Sequence, residues 1–127
     1  MAEILGVEPT IVIPRPVGSR VTVVEIKTTL SIEEQYRKAG LVPVASDDNR
    51  PKNTCGIIIA LGRDPVVHDN YSIGEGVYFF PHSGSHVKFE GIEFRTLDWN
   101  DILNVVEEEK VPEDWKVQVR NFLLGKG

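Results

Sequence analysis

Cys55–Gly62 reads CGIIIALG, an apolar run that predicts a buried strand closed by Gly62. The stretch before it, RKAGLVPVASDDNRPKNT (Arg37–Thr54), behaves differently. Asp47, Asp48, Asn49, Arg50, Pro51, Lys52 and Asn53 form a polar, turn-forming cluster that argues against regular structure. Leu41, Val42 and Val44 nevertheless stand in its middle. Either these aliphatics belong to the core, or they are held exposed for a partner.

Outward from this pair of segments, most of the chain reads as short strands. TIVI (Thr10–Ile13) and RVTVVEI (Arg20–Ile26) are rich in β-branched residues and are separated by PRPVGS. In the second, Val21, Val23 and Glu25 alternate with Thr22, Val24 and Ile26, so both faces are largely apolar and partly buried. GVYFF, HVKFEG and IEFRTL follow CGIIIALG at short spacing, with turn signals at PHSG and EGI, and DILNVV is the last strand. Many short strands at such intervals predict a mostly β fold, a small barrel or sandwich.

Two segments break the β pattern. SIEEQYRKAG opens with Ser31 and places Glu34 three residues on, a capping box, with Gly40 as a stop. In VPEDWKVQVRNFLLGKG, Pro112 stands at the helix start, with Glu113 and Asp114 in the first turn. Trp115, Val119, Phe122 and Leu123 share one face at helical spacing, and Gly125 follows as a stop. The organisation expected is a β domain over residues 1–109 and a C-terminal helical extension over 110–127.

Length and composition narrow the function classes. The chain has 127 residues, 41% of them hydrophobic, which suits one domain with a modest core. Gly, Pro or charge interrupts every apolar stretch before it could span a bilayer, so no membrane role is expected. MAEILGVEP lacks a basic region followed by a long apolar one, and Cys55 is the single cysteine; both fit a reducing, cytoplasmic setting. A net charge of −5 without a basic stripe disfavours nucleic acid.

No catalytic constellation stands out, and no enzyme or cofactor is expected. His82 and His86 lie four apart, but HSGSH is a turn sequence, and His68 sits in another loop, so surface histidines are the better reading than a metal site. Cys55 reads as a small core residue rather than a nucleophile. GRDP and GEG contain glycine but do not lead into a helix as a phosphate-binding loop should. Asp98 and Asp101 flank Trp99, where capping a tight turn suits them better than paired-carboxylate chemistry. Glu107–Glu109 reads as a solvated strand exit.

The order of the pieces resembles the GroES/chaperonin-10 co-chaperonin family. Arg15, Pro16, Arg20 and Val21 match the family's opening motif. Gly56, Ala60 and Gly62 match the strand after its mobile loop; Ile73, Gly74, Val77 and Phe79 match the next motif; Asp101, Ile102, Leu103 and Val105 match the end. The resemblance runs from about Ile11 to Glu107. It implies a small GroES-like β-barrel with a long mobile loop, about 28–54, in addition to the C-terminal helix.

That resemblance answers the question about the aliphatics. The family's loop tripeptide docks in an apolar groove of a large, GroEL-type chaperonin ring. Gly40, Leu41, Val42, Pro43 and Val44 occupy the matching place and are the implied chaperonin-binding residues. The family also implies a homo-oligomer of seven subunits that closes a chamber over unfolded client proteins. Ile11, Val12 and Ile13 of one subunit would then pair with Ile102, Leu103 and Val105 of its neighbour. There are departures. Pro43 replaces a usual aliphatic and shifts that contact to Val44, and SIEEQYRKA lengthens the loop. RDPVVHDNYS is short for a roof hairpin, which implies an open dome. The terminal helix has no counterpart. A divergent or virus-encoded member would tolerate these changes. The competing reading is a β-barrel structural or binding module decorating a larger assembly such as a capsid, which leaves the aliphatics of the loop unexplained.

Overall fold

The computed structural model describes residues 3–26 and 54–125. The expected helix in SIEEQYRKAG and the expected docking residues Gly40–Val44 lie outside the described residues.

Among the described residues six strands carry the fold: β1 (Arg20–Glu25), β2 (Thr54–Leu61), β3 (Gly76–Phe79), β4 (Ser85–Phe89), β5 (Ile92–Asp98) and β6 (Ile102–Val106). They form one antiparallel sheet in the order β4-β5-β1-β2-β3-β6. The mostly β fold expected from the sequence, with its C-terminal helix, is what the chain adopts.

β1 and β2 lie at the centre and are apolar on both faces because each face has its own core. Val21 and Val23 meet Ile58, Val77, Phe79 and Leu97 on one side. Val24, Ile57, Ile59 and Phe94 pack on the other, with Val119 and Leu123 of the terminal helix. The β1–β2 register slips between Thr22 and Val23, setting Val23 opposite Ile58 and Val24 opposite Ile57. Gly62, just after β2, sits where a Cβ would lie 2.1 Å from the Gly18 carbonyl oxygen, so the chain passes there only with glycine.

Among the described residues two α-helices flank the sheet, α1 (Pro65–Asn70) and α2 (Glu113–Leu123). α2 follows its stripe: Val119 and Leu123 are fully buried, Phe122 meets Phe94 edge-on at 5.6 Å, and Trp115 meets Tyr78 edge-on at 5.8 Å. Glu113 and Arg120 pair at 2.8 Å, and Arg120 Nε donates to the Leu5 carbonyl at 2.9 Å. A helix this short is marginal alone, so the packing holds it.

Three local expectations are corrected. Thr10–Ile13 forms no strand: Ile11 and Ile13 pack against the α2-side core, and the Thr10 N–H donates to the Leu123 carbonyl at 2.9 Å. The stretch read as loop around His68 is α1. GRDP does lead into a helix, because the Asp64 carboxylate accepts the Val66 N–H at 3.0 Å and Pro65 begins the first turn.

Candidate functional site

The candidate site is built from two features, the root of the connection between β1 and β2 and the outer edges of the sheet. β1 and β2 are neighbours, with Glu25 opposite Gly56, and the Ile26 N–H donates to the Cys55 carbonyl at 2.8 Å. The ends that flank residues 27–53 therefore lie side by side, on the two central strands of the sheet. Cys55 is half-buried at this root; burial pushes its thiol up, and the Glu25 charge adds to the effect. Tyr78, its cross-strand neighbour, is pushed up by burial and then by Cys55.

β4 and β6 are the outer strands, each paired on one side only among the described residues. Every residue of β4 is exposed, and its outer edge carries His86 and Lys88; His86 Nδ1 lies 2.7 Å from Glu93 Oε1. Charge on an edge discourages unplanned pairing. β6 is different. Leu103 and Val105 are exposed, while Ile102 turns inward against the cluster that contains Phe79. Of the N-terminal residues expected at a subunit interface, Val12 is 60% exposed, whereas Ile11 and Ile13 are half-buried against the α2-side core. Within one chain the structure does not bring Ile11–Ile13 to β6; no ladder joins the two among the described residues.

The remaining polar residues serve the fold. The Asp98 N–H donates to Asp101 Oδ2 at 3.4 Å around the 3-10 turn Trp99–Asp101, the turn-capping role expected of this pair. The Tyr71 hydroxyl donates to the Trp99 carbonyl at 2.9 Å and ties the end of α1 to that turn. His82 stacks on Phe80 at 5.8 Å, and His68 lies in the last turn of α1. Among the described residues, no group of His, Cys, Asp and Glu could hold a metal ion, and no helix is long and apolar enough to cross a membrane. The residue that sequence reasoning missed is Arg95, a charged side chain only 5% exposed.

Among the described residues, then, both outer strands of the antiparallel sheet expose large apolar side chains, and the two central strands flank residues 27–53. A family model described as the Chaperonin 10 Kd subunit matches residues 14–106. The chain is 34% identical over 98 residues to a co-chaperonin GroES of Acetivibrio thermocellus, covering 73% of this chain and 97% of that one. It is 30% identical over 99 residues to co-chaperonins GroES of Syntrophotalea carbinolica and Ligilactobacillus salivarius, covering 73% of this chain in each case and 97% and 98% of theirs. The chain therefore belongs to the chaperonin-10, or GroES, co-chaperonin family.

Proposed function

We propose that the chain is one subunit of a lid that caps a large, GroEL-type chaperonin ring and encloses client proteins while they fold. The observation that carries the reading is the rooting of residues 27–53: both ends are pinned to adjacent central strands. A docking load on Leu41, Val42 and Val44 thereby passes into the core rather than into a sheet edge. From Thr54 back to Val44 the tether is ten residues, which limits the reach to on the order of 30 Å.

The energetics favour a multivalent lid over a single subunit. Burying each of the three aliphatics contributes about 1.5–3 kcal/mol. Ordering the backbone that carries them costs roughly 1–2 kcal/mol per residue, which offsets most of that gain. One subunit is then a weak ligand. Several subunits on one scaffold gain about 10²–10⁴ in avidity through effective concentration, and weak single contacts still allow release. The open, aliphatic β6 edge supports pairing with Val12 and its neighbours from the next subunit, in a ring of seven by family likeness. Nucleotide hydrolysis belongs to the large ring in this reading, and the cytoplasm is its setting.

The double change Leu41→Ser and Val42→Ser tests it. Binding to a GroEL-type ring is expected to disappear, with assembly and melting temperature unchanged. A large fall in melting temperature would mean that these residues belong to the core.

A further inference from the structure

We propose that Arg95 is a positioning residue for ring docking: it ties the end of β1, where residues 27–53 begin, to the turn at Phe80–Ser83. This rests on the co-chaperonin reading for its purpose, though not for its geometry.

The alternation in β5 places Arg95 on the same face as Leu97, inside the cluster formed by Val21, Val23 and Phe79. A guanidinium so placed persists only if its N–H groups are taken up. Nε and Nη2 donate to the Ser83 carbonyl at 3.0 and 2.7 Å, and Nη2 also reaches the carbonyls of Pro81 and, at 3.5 Å, Phe80. The Phe79 ring lies 5.0 Å below. Three carbonyls of one turn thus converge on one cation. Gly84 closes that turn at φ +72°, with its Cβ position 2.1 Å from the Thr96 carbonyl oxygen, so the turn sits directly on β5.

Fastening the turn uses Nε and Nη2. Nη1 points the other way and meets Glu25 Oε1 at 3.3 Å. Glu25 is the last residue of β1, and pairing between β1 and β5 stops two residues earlier, at Val23 opposite Arg95. Beyond that point the strands part around a cleft of about 450 Å³ lined by Val24, Glu25, Glu93 and Phe122, among others. Among the described contacts, the Arg95–Glu25 pair is the polar tie that spans the parting. Together with the Ile26 N–H bond to the Cys55 carbonyl, it holds the end of β1 in place. Lysine cannot serve turn and strand together, because the fork of the guanidinium is needed for both.

The test uses the full chain. Glu25→Ala removes the tie and leaves the carbonyl bonds of the turn intact, so folding is preserved. In the protein alone, hydrogen exchange at the Ile26 amide is expected to speed about tenfold or more, while the Val23 amide holds its rate. An unchanged Ile26 rate overturns the proposal whatever the ring result. Toward a GroEL-type ring, Glu25→Ala is expected to lower affinity about tenfold or more, since each weakened subunit contributes to the avidity. Arg95→Met, if it folds, should add nothing further to Glu25→Ala. Full affinity in Glu25→Ala overturns the docking role. A wild-type chain that fails to bind, with Ile26 still responding, overturns the co-chaperonin reading and supports the tie itself.

Discussion

Leu123→Ala probes whether α2 is part of the fold or an appendage to it. Leu123 is fully buried, as is Val119 one turn before it, and both face Ile57, Ile59 and Phe94. Truncating a buried leucine costs about 2–5 kcal/mol, the transfer of the lost carbons plus the cavity they leave. The upper half of that range is expected, because the cavity walls belong to β2 and β5, strands held by neighbours on both sides. With a urea dependence of about 1–3 kcal/mol per molar, a loss of about 4 kcal/mol moves the midpoint down by roughly 1–4 M. Unfolding is to be followed by far-ultraviolet dichroism and by Trp115 fluorescence. A Trp99→Phe background is needed because Trp99 is 38% exposed and also emits. Protein concentration is held fixed, since assembly adds to apparent stability. The two probes should move together in both proteins. A change under about 0.5 kcal/mol, the size of a surface substitution, refutes the packing argument. So does a Trp115 transition that precedes loss of the sheet.

Two further outcomes follow from the edges and the root. Val12→Asp and Leu103→Asp each place a charge on an exposed aliphatic at the proposed subunit contact; sedimentation should report monomers with an unchanged dichroism spectrum, and an undiminished assembly mass would remove β6 from the interface. Burial, and then the Glu25 charge, disfavour the Cys55 thiolate, so less anion is present at each pH than for an ordinary thiol. Its reaction with Ellman's reagent should be slow at pH 8 and keep rising where a free thiol has levelled off; a profile matching free cysteine contradicts the environment described.

How far these features can be read from residues alone differs from one to the next. β1 and β2 were legible because β-branched runs apolar on both faces have few places to go except the middle of a sheet. α2 was legible from its stripe, which repeats over enough turns to show a period. α1 is six residues long and shows none, yet Asp64 followed by Pro65 is a helix-start signature that stood in plain view. Thr10–Ile13 has the composition of a strand, but a strand also needs a partner. Here the Thr10 N–H goes to the end of α2, a contact from the far end of the chain that no local pattern contains. Arg95 had a signal too: a cation two residues before Leu97 on the inward side of an alternating strand. Exposure at β6 was harder to see, because ILNVV gives no sign of which residues face a core and which stay exposed.

The central claim is that this chain caps a chaperonin ring. Sedimentation velocity of the wild-type chain mixed with a GroEL-type ring, with and without adenine nucleotide, tests it most directly. Co-migration with the ring in nucleotide, and separation without it, is the expected result. A chain that sediments apart from the ring under both conditions contradicts the account.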